Sequence, residues 1–340
     1  MTQLQTQDAF LDTPRQAKPM LSRVAESIYW MAVYVERAEH IARMINVNWN
    51  VLIDVGDVDE ELAQELWRGV LAVLHLDNSP KASEILAGDD VAINLCRYLT
   101  FDLSNPASLI SCLTKARENA RSIRENISGE MWEAINVLYL AIRGDDSRTR
   151  FEEAPRDVFQ QIMLGSFLFQ GLTNQTIPHG QGWLFAQLGK HIERCDMTCR
   201  IIGSKYNILR AAESDLDEPM RNVHWMAVLR TCCSIEEYRR THPGELDARR
   251  VAAFLILAKN FPRSVSYSVR HAHEAAAGIR ESVSPHSVDT AERILSRLNS
   301  QLENADAAEV LAGNIKDYLQ NITLQTHQAS DAIHKAYFLR

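Results

Sequence analysis

Glycine and proline are scarce in this 340-residue chain, at 14 and 10 residues. That scarcity argues against the turn-dense architecture of an all-β protein. No run of 18 apolar residues occurs, so nothing is long enough to cross a bilayer as a helix. The first residues, MTQLQTQDAFLDTPRQAKP, lack the basic n-region and apolar h-region of a secretory signal, which predicts a cytoplasmic protein. Basic residues are outnumbered, 36 Lys and Arg against 44 Asp and Glu, for a net charge of -8. With no basic patch interleaved with aromatics, nucleic-acid binding is not expected. The six cysteines form no CxxC pair; Cys195 and Cys199 share a helix face but lack the further ligands of a structural metal site. Walker, GxGxxG, GxSxG and HExxH motifs are all missing, so the chain announces no nucleotide, nucleophile-elbow or zincin chemistry.

What is present is helix. Apolar residues make up 46% of the chain and charged residues 24%, enough for a packed core. Leu, Ala, Arg and Glu dominate many stretches, and all favour helix. Residues 1–19 read as a flexible tail. From about residue 21 to 50, Ile28, Met31, Val35, Ala38, Ala42, Ile45 and Trp49 recur three and four apart, which predicts a long helix with a bundle-packing seam. A second very long helix is predicted near 181–213. Between and after them lie further helical segments: about Glu60–His75, one opening at Pro106 as an N1 proline, one capped by Ser128, and a C-terminal helical pair. The polar stretch RGDDSRTRFEEAPRD reads as a loop with one short turn. Sustained strand-like alternation is nowhere found, so the fold class is all-α: a large multi-helix bundle over 20–340.

The two longest helices carry a repeat. Glu36-Arg37-Ala38-Glu39 with Arg43 matches Glu193-Arg194-Cys195-Asp196 with Arg200, in the pattern E-R-x-[ED]-x-x-x-R followed by two apolar residues. A duplicated unit with a pseudo-twofold relation is the simplest account. On a helical projection, Ala32, Glu36, Glu39 and Arg43 share one face, as do Gly189, Glu193, Asp196 and Arg200. Arg37 and Arg194 project elsewhere, beside Trp30 and Thr198, and His40 and His191 fall away from the carboxylates. Small residues at Ala32 and Gly189 allow close approach of a helix or a ligand. Three roles stay open for these faces: a structural ion network, a ligand or partner site, or acid–base or Mg²⁺ chemistry. The Glu-x-x-His signature of a di-iron bundle is missing, so no metal centre is expected. Arg117, Arg121 and Arg124 fall on one face of another helix, where they could meet a phosphate or acidic partner or simply face solvent.

The run MLSRVAESIYWMAVYVERAEHIARMI resembles the opening of the alpha-E family, a bacterial group of unknown function. LGKHIERCDMTCRII, RENARSIRENISGEMWEAIN, WMAVLRTCCSIEEYRR and FLILAKNFPRSVSY resemble its other motifs. The resemblance implies a wholly helical fold and an association with circularly permuted ATP-grasp proteins similar to carboxylate–amine ligases, often accompanied by transglutaminase-like proteins. By that analogy the chain would be a non-catalytic accessory or binding partner in peptide-like amide synthesis or modification. An enzyme using the paired carboxylates is the alternative. Neither the residues nor the resemblance identifies a cofactor, and homo-oligomerisation is left open.

Overall fold

A computed structural model describes residues 20–55, 60–144, 146–211, 218–283 and 290–339. The tail expected at 1–19 lies outside them. The described residues form sixteen α-helices and no strand. The first eight are α1 (Ser22–Val55), α2 (Glu60–Val73), α3 (Pro80–Leu86), α4 (Val91–Phe101), α5 (Leu109–Ser122), α6 (Gly129–Arg143), α7 (Ser147–Glu153) and α8 (Pro155–Thr176). The second eight are α9 (Gln181–Ala211), α10 (Glu218–Thr231), α11 (Ile235–Thr241), α12 (Ala248–Leu257), α13 (Val265–Val283), α14 (Thr290–Glu303), α15 (Ala307–Ala312) and α16 (Ile315–Ile333), followed by one π-helical turn at His334–Phe338.

The second eight repeat the first in order, approximate length and packing. The helix α1 packs on α5 and α8 as α9 packs on α13 and α16, and α6 bridges α5 and α8 as α14 bridges α13 and α16. Local devices repeat as well. The hydroxyl of Ser108 caps α5 by accepting from the Ser111 amide (3.2 Å), and that of Ser264 accepts from the Tyr267 amide (3.0 Å) at the start of α13. His75 and Cys233, at the matching turns after α2 and α10, both take the left-handed conformation (φ 56° and 52°). The duplication thus runs well beyond the two motif helices.

The long helices α1 and α9 run parallel at the centre. The Met20 amide donates to Gln181 Oε1 (2.8 Å) at their N-terminal ends. Arg37 meets Glu193 midway, and Met44 and Asn48 share a cavity with Ser204 and Lys205 further on. Backbone closeness is set by Gly189: a Cβ there would stand 2.6 Å from the Tyr29 carbonyl oxygen. The small residue therefore admits a helix rather than a ligand. Burial extends almost all round α1 rather than along one seam, as befits a helix surrounded by others.

Three details differ from the sequence reading. Pro106 lies in the turn before α5, where Asn105 Oδ1 accepts from the Ala107 amide (2.9 Å), so Ser108 and not the proline opens the helix. The polar stretch after α6 contains a helix, α7, because Phe151 is fully buried there between Phe101 and Phe159. The C-terminal pair is three helices and a π turn.

The apolar core divides into two large clusters. One takes Val24–Val35 of α1 with Phe185–Ile192 of α9; the other takes Ala38–Ile45 with Cys195–Ile202. Between them, at residues 36–37 and 193–194, the molecule inserts a charged layer.

Candidate functional site: a reciprocal glutamate–arginine layer

Each Glu-Arg dipeptide pairs with the other. Arg194 donates through Nε to Glu36 Oε1 (2.6 Å) and through Nη2 to Oε2 (3.0 Å). Arg37 donates through Nε to Glu193 Oε1 (2.6 Å) and through Nη2 to Oε2 (2.7 Å). Both are two-pronged guanidinium–carboxylate bonds, the strongest geometry for such a pair. The pseudo-twofold axis between the parallel helices requires the exchange: whatever the glutamate of α1 does to α9, that of α9 does to α1. The helical projection aimed Arg37 and Arg194 elsewhere because it follows the Cα–Cβ bond. Three methylenes let each guanidinium bend round to the facing helix.

A second tier sits one turn along. Arg43 donates to Glu39 and Arg200 to Asp196, each at i, i+4. Here the halves diverge. Arg263, from the turn before α13, reaches Glu39 Oε2 (2.9 Å) and approaches His40 Nε2 (3.3 Å). Asp196 instead has the imidazole of His327 from α16, 3.3 Å away. Gln170 of α8 adds a weak bond to Glu36 Oε2 (3.3 Å). His40 lies inside the layer, its Nδ1 2.9 Å from the Glu36 carbonyl oxygen and 3.5 and 3.6 Å from the Glu36 and Glu39 carboxylates. The expectation that it falls away from them is corrected: helical neighbours at i−4 and i−1 flank its ring on a crowded face. His191 does face away, stacking on His271 (5.2 Å).

The electrostatics follow from burial and pairing. Removal from water would push the Glu36 carboxyl up, but the charges of Arg194, His40 and Arg263 hold it well below the usual carboxylate range. Glu39 and Asp196 are likewise lowered against burial, Glu39 chiefly by Arg263 and Asp196 by His327 and Arg200. The Glu193 charge raises Arg37 above its ordinary value. All four carboxylates are engaged, each by at least one guanidinium. Five guanidiniums (Arg37, Arg43, Arg194, Arg200, Arg263) face them.

Glu36, Glu39 and His40 each offer a ligand atom within 4.8 Å of the others, so a cation can be tested against this set. The fit is poor. Both oxygens of Glu36 accept from Arg194, and Arg263 stands between Glu39 and His40. The positive charge that a metal would bring is already supplied by guanidinium groups.

The remaining sequence candidates lie elsewhere. Arg121 is exposed on α5, with Glu118 of its own helix as ion partner (3.7 Å). Arg117 and Arg124 lie over the Trp132 ring of α6 (5.4 and 4.9 Å). Cys195 and Cys199 are buried in the core. Sequence reasoning missed Arg263, Gln170 and His327, which come from distant turns and helices. Only Arg263 left a trace, as an arginine in the FPRS turn that matches the apolar Ala107 of NPAS in the first half.

These features define an all-α protein of two like halves whose central helices exchange Glu–Arg partners. The chain belongs to the Alpha-E family, described as a predicted alpha-helical domain with a conserved ER motif; the match covers residues 20–338. It is 24% identical over 321 residues to uncharacterised proteins of Mycobacterium bovis and Mycobacterium tuberculosis. The alignment covers 90% of this chain but 35% of theirs, so the chain spans about a third of the length of those relatives. No solved structure matches it. Among the described residues no helix is long and apolar enough to cross a membrane.

Proposed function

We propose that this Alpha-E unit is a non-catalytic binding module for a carboxylate–amine ligase of the ATP-grasp type, acting in peptide-like amide synthesis or modification. The observation that carries the binding role is an apolar surface on α6 and α8. Val137, Leu140, Leu164, Phe167 and Leu168 are each between 47% and 57% exposed there. Val137, Leu164 and Leu168 line a groove of about 500 Å³ floored by Leu138 and Gly165.

The fold does not require this surface to be greasy. Met131, Ile135, Leu138 and Ile142 of α6 correspond to Ala291, Leu295, Leu298 and Leu302 of α14. In that register the outward Val137 and Leu140 become Arg297 and Ser300. On the facing helix, Leu168 becomes Gln328. A patch that one half keeps apolar and the other makes polar at all but one of its positions, Leu324 standing where Leu164 does, reads as an interaction surface. The relatives carry this unit within chains roughly three times its matched length, which supports a role beside further polypeptide. The ligase identity rests on the family resemblance. The alternative, acid–base or Mg²⁺ chemistry on the paired carboxylates, is disfavoured because each is committed to an arginine.

Titration calorimetry with an ATP-grasp ligase from the same genome tests the reading. A complex should form, and Leu164→Glu with Leu168→Glu, both on exposed positions, should weaken it at least tenfold while the circular dichroism stays unchanged. No heat of binding, with or without ATP and Mg²⁺, would overturn it.

A further inference from the structure

Beside the second tier of the charged layer lies a concavity of about 370 Å³ between the end of α2, α9 and α16. This is the size of a small-metabolite site. Its charged and titratable wall is His75, Arg200, Lys316 and His327, with Leu319 and Leu324 supplying apolar surface. No carboxylate is among the described residues that line it. Asp196 sits beneath, 4% exposed and already engaged by Arg200 and His327.

Comparing the halves explains why a donor is left over. In the first half Glu39 Oε1 receives both Nε (2.7 Å) and Nη2 of Arg43. In the second half the acid is Asp196, one methylene shorter, and it receives Nη2 of Arg200. Arg200 Nη1 turns to the Val73 carbonyl oxygen (3.3 Å), and its Nε is buried with no acceptor. A buried guanidinium donor without an acceptor is a destabilising arrangement, and it leaves the Asp196–Arg200 pair less completely satisfied than the Glu39–Arg43 pair. The same wall also replaces the ring of Phe167, which lies against Arg43 (5.5 Å) in the first half, with the imidazole of His327.

The geometry points to a binding site for a small organic oxyanion, its phosphate or carboxylate oxygens held by the cationic groups of this wall, Arg200 and His327 at one end and Lys316 about three turns away along α16, and its carbon skeleton against Leu319 and Leu324. Guanidinium, ammonium and imidazole donors lining one cavity form a donor set that recognises such groups. The site stands independently of the ligase reading and of the α6–α8 surface.

The test uses the full chain, with inorganic phosphate and glutarate as separate probes titrated at fixed ionic strength and followed by calorimetry and by thermal unfolding. At least one probe should bind saturably and raise the unfolding temperature. Phosphate alone would identify a phosphate-bearing ligand, and glutarate alone a carboxylate-bearing one. Lys316→Glu, at an exposed position, should weaken binding at least tenfold. Lys335→Glu, an equal charge change beyond the other end of α16, should alter it less than twofold. Failure of both probes to saturate the native protein would overturn the proposal, and so would equal weakening by the two variants.

Discussion

Substituting Arg194 by Met, Glu36 by Gln, and both together isolates the exchange between the two halves. Arg194→Met leaves Glu36, whose side chain is 2% exposed, without its two-pronged partner. Breaking a buried pair this way costs about 3–5 kcal/mol. The lower end applies, because Gln170 and His40 remain within reach of the carboxylate. Glu36→Gln strands an arginine that is 11% exposed and still donates to the Pro262 carbonyl oxygen (3.3 Å), so its effect should be smaller, about 2 kcal/mol. The double variant removes both charges, and groups in contact typically couple by about 0.5–3 kcal/mol. We expect it to be destabilised by about 3 kcal/mol rather than by the sum of the singles, a coupling of about 2 kcal/mol. Urea unfolding followed by circular dichroism at 222 nm supplies the four stabilities, provided the denaturant slopes agree. Acid gives a second reading. A carboxyl whose folded pKa is lowered contributes stability that is complete above its unfolded value, near 4, and is lost as pH falls toward the folded value. The native protein should therefore weaken more steeply below about pH 4 than the double variant does. Strict additivity of the two single substitutions would refute the reasoning.

Gly189→Ala places a methyl group 2.6 Å from the Tyr29 carbonyl oxygen and should destabilise by about 1–3 kcal/mol. Gly171→Ala, with nothing within 4 Å in the middle of α8, should stabilise by up to about 1 kcal/mol. The same urea titrations check both, and a neutral Gly189→Ala would mean that the central helices do not meet as described. Lys205 is buried with no acceptor for its ammonium, and desolvation lowers its pKa to about 8 from 10.5 against the opposing pull of Glu65. A lysine depressed in the folded state penalises folding fully below pH 8, and the penalty fades as pH rises to the unfolded value. Lys205→Met should then stabilise by about 3 kcal/mol at pH 7 and by less at pH 10, judged from thermal unfolding at the two pH values.

Much of this molecule can be read from the order of its residues, and the rest fails for identifiable reasons. The helices show because their signals are local: seam periodicity in α1, the Ser128 cap of α6, and the Glu-Arg pattern repeated in α9. The duplication shows only where the sequences stay alike. The caps at Ser108 and Ser264 and the left-handed His75 and Cys233 repeat in geometry while their neighbours differ. The site is half legible. Glu36, Glu39, Glu193 and Asp196 stand out as paired carboxylates, but their partners depend on where a guanidinium several bonds from the backbone comes to rest. Arg263 and His327 depend on tertiary packing between segments more than 100 residues apart, which no spacing rule carries. The α7 helix was hidden because six of its seven residues are polar and one phenylalanine anchors it.

Arg37 finds its carboxylate on α9, and Arg194 finds its carboxylate on α1. Neither half neutralises the charges of its own Glu-Arg dipeptide. One half by itself would expose a glutamate and an arginine that only a second, twofold-related half could satisfy, the condition of an isologous dimer. The full chain is in this sense a tethered dimer. Covalent linkage makes the association of its halves intramolecular, so the charged layer closes at any dilution.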